Sequence, residues 1–295
     1  MFTGSIVALI TPFRDGQVDE SALRRLVRFH VENGTDGIVP CGTTGEAVTL
    51  GRSEWERVVN ITLEETAGRI PVIAGAGTND TAKTVELVRY ARSAGATGAL
   101  VVTPYYNKPT QRGLIAHYAE IAHRVDLPLI VYNVPGRTGV NVLPETLAEV
   151  MQIDAVVAVK EASGNLEQIG LIGALCGDRI TLLSGDDTLT LPVLSVGGRG
   201  VISVVANIIP RDVADMVRLY ANGHHADALE RFRRQLPLSK AMFIETNPIP
   251  VKTAVGLLGL AGEDMRLPLV PMEEGNRAKL ARTLCAYGLL QEAAA

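Results

Sequence analysis

The chain has 295 residues, of which 47% are hydrophobic and 20% are charged, and its formal net charge at pH 7 is -4. This acidic balance gives no electrostatic reason to expect nucleic acid or an anionic membrane as a partner, because both attract basic surfaces. No run approaches the length of a transmembrane helix, and no basic segment precedes the short apolar run at the N-terminus, so we expect a cytoplasmic protein.

Short apolar, β-branched runs alternate with segments of helical period. The runs are SIVALIT from residue 5, GIVP from 37, PVIAG from 71, GALVVT from 98, LPLIVYN from 127, AVVAVK from 155, ITLLSG from 180 and GVISVVAN from 200. Asp19 and Asp80 are placed to cap the first and third helices, and Gly95 to end the third. Strands that alternate with helices predict a parallel sheet.

The number of strand candidates decides between two α/β architectures. Eight strands in the first two thirds of the chain favour a (β/α)8 TIM barrel over a doubly wound open sheet, which stays an alternative. Residues 225–295 are helical in composition, with interruptions at Pro248 and Pro250. We therefore predict a catalytic barrel over residues 1–224 and a C-terminal helical extension, residues 225–295, packed on it.

Polar residues gather after the strands, where a TIM barrel carries its chemistry. They lie in CGTTGE (41–46), GAGTND (75–80), TPYYNKP (103–109), YNVPGRTG (132–139), KEASGN (160–165) and GDD (185–187). The N-terminal ends of the strands show nothing comparable, so this end of the barrel is the predicted active site.

Lys160 ends an apolar strand, where desolvation can lower the pKa of its amine by up to about 3 to 5 units. A neutral lysine amine attacks carbonyls to form a Schiff base. Nearby, Tyr132 can relay protons, Thr43 and Thr44 can hold a carboxylate in a glycine-flanked turn, and Arg137 can bind a carboxylate through two hydrogen bonds. For each residue a structural role is the alternative: a lysine reaching water, a tyrosine anchoring a strand, a capping turn and a solvated arginine.

Taken together, these motifs resemble those of the dihydrodipicolinate synthase family, within the pyruvate-dependent class I aldolases. The similarity runs from MFTGSIVALITPF to the C-terminal helices, and GTTGE, TPYYNKP, YNVPGRTG, KEASGN, LSGDD and NPIPVK carry it. The resemblance implies that Lys160 forms an imine with pyruvate, that the imine becomes an enamine, and that the enamine attacks the aldehyde of L-aspartate 4-semialdehyde before cyclisation frees the lysine. No cofactor is implied.

The resemblance also assigns roles to individual residues. Tyr132 is then the proton donor and acceptor, and Tyr106 enters the site from a neighbouring subunit, usually of a homotetramer. Further implied residues are Thr43 as a relay partner and Thr44, Ile202 and Gly185 as substrate contacts. Arg137 distinguishes the chain from the related N-acetylneuraminate lyases and sugar-acid aldolases, which lack this arginine, and implies a second substrate with its own carboxylate.

Feedback-inhibited members of the family bind L-lysine at a subunit interface. The chain keeps Asn79 and Tyr105 from that site, but it has Lys83 where a glutamate binds the inhibitor and Trp55 at a histidine or tryptophan position. Since Lys83 would repel the ammonium of the inhibitor, we expect weak or absent inhibition by L-lysine.

Other functions have less support in the sequence. Asp186 and Asp187 form the only tempting acidic pair, and a hydrogen-bonded loop explains them better than a metal site. GAGTND lacks the third glycine of a dinucleotide fingerprint. Three widely spaced cysteines indicate reduced thiols, and Cys41 has no histidine near it in sequence to make it a nucleophile. A barrel that only binds a metabolite stays open as a non-catalytic alternative.

Overall fold

The computed structural model describes residues 2–291, and eight parallel strands form its centre. The strands are β1 (Gly4–Ala8), β2 (Gly37–Val39), β3 (Ile73–Gly75), β4 (Gly98–Val102), β5 (Leu129–Asn133), β6 (Val156–Glu161), β7 (Thr181–Ser184) and β8 (Gly200–Ser203). Each predicted apolar run corresponds to one strand, although β1 begins one residue before its run and β6 ends one residue after its run. A short antiparallel hairpin, Phe13–Arg14 with Gln17–Val18, follows β1.

The strands close into a barrel. Their order is β2-β1-β8-β7-β6-β5-β4-β3, and a parallel bridge between Ile38 and Val72 joins the two ends of this series. The backbone N–H of Gly75 donates to Pro40 O at 2.9 Å across the same seam. The (β/α)8 barrel is therefore confirmed over the open sheet.

Helices pack around the barrel and continue into the C-terminal region. They are α1 (Glu20–Glu32), α2 (Arg52–Thr66), α3 (Thr81–Ala94), α4 (Gln111–Arg124), α5 (Pro135–Thr138), α6 (Pro144–Val150), α7 (Leu166–Cys176), α8 (Thr190–Ser195), α9 (Pro210–Ala221), α10 (His225–Ala241), α11 (Ile249–Leu257) and α12 (Glu274–Tyr287). Asp19 and Asp80 accept hydrogen bonds from the first turns of α1 and α3, and Gly95 ends α3 with φ +95°. None of the helices within residues 2–291 has the length and apolar character needed to span a bilayer.

The strands alternate their side chains between two apolar cores, because successive residues of a strand point to opposite faces. The inner core fills the barrel with Phe2, Ile6, Ala8, Val39, Ile73, Leu100, Ile130, Ala158, Leu183 and Ile202. The outer core lies between the strands and the helices. The side chain of Phe2 fills the N-terminal end of the barrel, where a Cβ on Gly98 would lie 2.8 Å from its ring.

The C-terminal region reaches the barrel through buried polar contacts. Lys252 of α11 is fully buried, and its Nζ donates to Glu46 Oε1 at 2.5 Å and to Thr11 O at 3.0 Å. Pro248 and Pro250 mark the start of α11, where the missing N–H of a proline costs no helical hydrogen bond. Residue 1 and residues 292–295 of the two predicted regions lie outside the described residues.

Candidate active site

Lys160 lies at the C-terminal end of β6 with its side chain inside the barrel. It shares the inward face with Ala158, and only 5% of its surface is exposed. Lys160 pairs in register with Tyr132 of β5, and its Nζ lies 4.3 Å from the centre of the tyrosine ring. The two predicted residues are therefore direct neighbours.

The acidic neighbour of Lys160 in sequence points to the opposite face of the sheet. Glu161 accepts hydrogen bonds from Asn133 Nδ2 at 2.9 Å and from the backbone N–H of Ser163 at 2.8 Å. Burial raises its pKa, and these donors oppose the rise. The Glu161 contact with Asn133 ties β6 to β5 at the level of Lys160 and Tyr132.

The surroundings of Lys160 lower the pKa of its ammonium group. Burial lowers the pKa of Lys160 to about 8. The negative charges of Asp186 and Asp187 raise this pKa, and the positive charge of Arg137 lowers it. With that pKa, about one amine in ten is neutral at pH 7. The site thus holds a population of nucleophilic amine at neutral pH.

Gly185 leaves room for the Lys160 side chain. A Cβ at position 185 would lie 3.2 Å from Lys160 Cε and 2.6 Å from Ala162 Cβ. Ile202, which is fully buried in β8, belongs to the apolar layer below this position. Both predicted substrate-contact residues therefore lie in the barrel interior or directly beside the amine.

Tyr132 keeps its proton at neutral pH. Burial raises the pKa of its phenol to about 12; the charge of Arg137 and a hydrogen bond with Thr43 lower it, and Asp186 raises it. A phenol with this pKa is a proton donor that can later take the proton back.

The turn of residues 41–46 presents free backbone donors. Glu46 has a left-handed φ of +53°, and its N–H donates to Thr43 O at 3.1 Å. Among the described residues, no acceptor contacts the N–H groups of Thr43 or Thr44. Consecutive free N–H groups in a tight turn form a concavity suited to a carboxylate.

Arg137 lies in α5, at the entrance to the site. Its NH2 donates to Asn247 O at 3.1 Å, and it lines a cavity of about 230 Å³ together with Thr43 and Tyr132. Arg137 as a whole is exposed. It can therefore contact an anionic ligand that enters the cavity.

Tyr106 does not reach this cavity within one chain. Its side chain is 89% exposed and its φ is +73°, whereas the preceding Tyr105 lines the cavity. The described chain leaves Tyr106 projecting from its surface.

The acidic pair after β7 forms a hydrogen-bonded loop. Asp187 Oδ2 accepts from the backbone N–H groups of Val204 at 3.0 Å and Val205 at 2.9 Å. The backbone of Asp186 bonds to the side chain of Ser184. Within residues 2–291, no three histidine, cysteine, aspartate or glutamate side chains cluster as metal ligands would.

Cys41 is buried, and burial raises the pKa of its thiol. Its Sγ lies 3.8 Å from Trp55 O. A thiol in this environment is a poor nucleophile.

Three of the four residues of the predicted inhibitor site line a second, larger cavity. Trp55, Lys83 and Tyr105 line this space of about 1060 Å³. Asn79 is not among its lining residues, and its carbonyl oxygen accepts a hydrogen bond from Asn107.

One contact of the site was missed in the sequence. Asn247 donates through Nδ2 to Thr44 Oγ1 at 3.0 Å in a buried environment. Asn247 begins the motif NPIPVK, which could have drawn attention to it. No pattern in the neighbouring residues indicates that Asn247 contacts the turn of residues 41–46.

Comparisons with known proteins agree with this geometry. The model of the dihydrodipicolinate synthetase family matches residues 1–287. The chain is 54% identical to the 4-hydroxy-tetrahydrodipicolinate synthase of Pelobacter propionicus over 290 residues, 98% of this chain and 100% of the relative.

Solved structures extend the likeness to three dimensions. A dihydrodipicolinate synthase from Aquifex aeolicus is 47% identical with a TM-score of 0.97, covering 99% of this chain and 100% of that one. The synthase of Acinetobacter baumannii, solved in complex with pyruvate, is 40% identical with a TM-score of 0.97, covering 98% of this chain and 100% of that one. The chain is therefore a member of the dihydrodipicolinate synthetase family.

Proposed function

We propose that the protein condenses pyruvate with L-aspartate 4-semialdehyde, as a 4-hydroxy-tetrahydrodipicolinate synthase of the class I aldolase type. The observation that carries this proposal is the buried amine of Lys160, whose pKa is lowered by burial to about 8 and whose Nζ lies 4.3 Å from the ring centre of Tyr132. The neutral amine adds to the ketone of pyruvate, and loss of water gives an imine on Lys160 in place of a cofactor.

The carboxylate of pyruvate is held by the turn of residues 41–46. The free N–H groups of Thr43 and Thr44 supply donors, and the hydroxyl of Thr44 adds a third. Ile202 and Gly185 close the space around the methyl group. Removal of a methyl proton gives the enamine that attacks the aldehyde.

Proton transfer is assigned to Tyr132, with Thr43 and Tyr106 as its relay. Since Tyr106 is 89% exposed on one chain, we propose that it completes the site of a second copy in a homotetramer. Sedimentation would test this assignment. A monomer with full activity would rule it out.

The second substrate is recognised by Arg137, whose guanidinium pairs with its carboxylate. An N-acetylneuraminate lyase or a sugar-acid aldolase is the alternative on the same barrel. Activity towards L-aspartate 4-semialdehyde, with none towards N-acetylneuraminate, would separate the two.

Two broader assignments belong to the same proposal. The catalytic unit comprises residues 1–224, and residues 225–295 form the helical region that supports it. The reaction is assigned to the cytoplasm.

The cavity around Lys83 is proposed to bind L-lysine weakly or not at all. The cavity is lined by three basic residues and one acidic residue, namely Arg52, Lys83, Arg89 and Glu86. This excess of positive charge disfavours a cationic ligand. Activity measured over a range of L-lysine concentrations tests this: half-inhibition in the micromolar range would contradict the proposal. Lys83→Glu is expected to increase the sensitivity, and Lys240→Glu, on an exposed position outside the cavity, is the control.

The primary experiment is capture of the imine. The protein is incubated with pyruvate, reduced with borohydride and digested, and the modified peptide is identified by mass spectrometry. We expect one pyruvyl adduct, on Lys160, which is absent from Lys160→Arg and present in Lys240→Arg. Binding of pyruvate without capture would favour the non-catalytic alternative, and an adduct elsewhere would refute the assignment of Lys160.

A further inference from the structure

We infer that Asn247 is a positioning residue that orients the Thr44 hydroxyl to donate to the carboxylate of pyruvate. The inference rests on the proposed function, since it concerns how the same site holds its first substrate. Asn247 precedes α11, outside the barrel. Neither Asn247 nor Thr44 is among the residues that line the cavity of about 230 Å³, whereas Thr43, the neighbour of Thr44, lines it.

The Thr44 hydroxyl acts as the acceptor in its hydrogen bond with Asn247. Asn247 Nδ2 donates to Thr44 Oγ1 at 3.0 Å, and both side chains are buried, at 5% and 2% exposure. A hydroxyl that accepts from an amide keeps its own hydrogen for another partner. That hydrogen is then available, beside the free N–H groups of Thr43 and Thr44, for an anionic oxygen.

The same residue also contacts the arginine of the site. Its carbonyl oxygen accepts from Arg137 NH2 at 3.1 Å. Asn247 therefore links the turn predicted to bind one carboxylate with the guanidinium predicted to bind the other. The first link uses the side chain and the second uses the backbone, so a side-chain substitution separates them.

Stability alone explains this arrangement poorly. Asn247 Oδ1 is buried and has no hydrogen-bond partner among the described residues. An unpaired buried acceptor destabilises a folded protein. An apolar residue at position 247 would avoid this cost, which suggests that the amide is kept for what it does to Thr44.

The segment that carries Asn247 is anchored to the turn at a second point. Lys252, five residues further along, donates to Glu46 Oε1 at 2.5 Å and to Thr11 O at 3.0 Å. Thr11 in turn donates through Oγ1 to Gly45 O at 2.7 Å. These contacts hold the start of α11 against the turn, so the amide of Asn247 cannot easily move away from Thr44.

The test is Asn247→Asp, which keeps the shape of the side chain and reverses its hydrogen bonding. An ionised carboxylate accepts the Thr44 hydrogen and adds a negative charge near the bound carboxylate. We expect the pyruvate concentration for half-maximal capture on Lys160 to rise about tenfold or more, and Asn247→Ala to raise it less. The limiting rate of capture should change little.

Thr44→Val provides the readout that distinguishes positioning from a general structural role. If Asn247 acts through the Thr44 hydroxyl, Asn247→Asp and Asn247→Ala should differ much less in a Thr44→Val background than in the natural sequence. Asn222→Asp, the same chemical change on an exposed residue after α9, is the matched control and should behave as the natural protein does.

The outcomes separate this inference from the proposed function. If the natural protein gives no adduct with pyruvate, the proposed function fails first. If it gives the adduct but Asn247→Asp leaves the half-maximal concentration unchanged, only the inference is overturned. The inference is also overturned if Asn247→Asp and Asn247→Ala differ as much in the Thr44→Val background as in the natural sequence. The melting temperature of each variant identifies any variant that fails to fold. In that case Asn247→Ser replaces it in the same comparison.

Discussion

Replacing either of two buried lysines by methionine should change stability in opposite directions. Burial lowers the pKa of Lys160 from 10.5 to about 8. A tenfold change in a proton-binding constant corresponds to about 1.4 kcal/mol, so the buried ammonium of Lys160 costs the folded state about 3 kcal/mol at pH 7. Lys160→Met removes this cost and should raise the free energy of unfolding by up to about that amount.

The gain should depend on pH in a defined sense. Between about pH 8 and 10.5 the unfolded chain binds a proton at Lys160 that the folded chain has lost, so the cost falls as the pH rises and is absent above that window. Urea unfolding of Lys160→Met and the natural protein at pH 7 and 9.5 measures it. Less than half of the gain should remain at the higher pH, on the order of 1 kcal/mol.

Lys252→Met is the matched control. Lys252 is also buried, but its Nζ pairs with Glu46 at 2.5 Å. Removing it leaves a buried carboxylate without its cation, which typically costs about 3 to 5 kcal/mol. The reasoning is refuted if Lys160→Met destabilises the protein as Lys252→Met does, or if its gain is the same at both values of pH.

Three further predictions concern the chemistry. Pyruvate capture should rise with pH through the pKa of Lys160, and Asp186→Asn, which removes a charge that raises this pKa, should move the midpoint to lower pH; a midpoint that rises or stays in place would contradict it. Tyr132→Phe should lower kcat about 100-fold to 10,000-fold without a comparable change in the KM for pyruvate, since it removes a proton donor; steady-state kinetics with near-normal kcat would argue against that role. Arg137→Ala should raise the KM for L-aspartate 4-semialdehyde by about tenfold or more while pyruvate capture is unchanged. Arg137→Lys should recover only part of the lost affinity, because lysine lacks the planar guanidinium. A loss of pyruvate capture in either variant would show that Arg137 does not act on the second substrate alone.

Local patterns predicted the architecture and placed Lys160 near the end of a strand. Each of the eight apolar runs corresponds to a strand to within one residue, and α1 and α3 begin after the predicted caps at Asp19 and Asp80. These features depend on the spacing of neighbouring residues, and a period of two or of 3.6 is legible in a short window. The position of Lys160 at the end of a strand follows from the same pattern.

The composition of the site depended on contacts between distant parts of the chain. Asn247 and Thr44 are 203 positions apart, and Lys252 and Glu46 are 206 positions apart. No periodicity links such residues, because the packing of α11 against the barrel brings them together. Likewise, Tyr106 was assigned to the site, but one chain leaves it exposed.

The sequence by itself therefore determined which faces of the strands are apolar, how many strands the barrel has and at which end the polar candidate residues gather. Only the tertiary structure decided how strongly Lys160 is desolvated, that its Nζ lies against Tyr132, and that Asn247 Nδ2 donates to Thr44 Oγ1. The difference has one physical cause. Backbone preferences are local, whereas the pKa of a group and the partner of a hydrogen bond depend on every atom within a few ångströms, whatever its place in the chain.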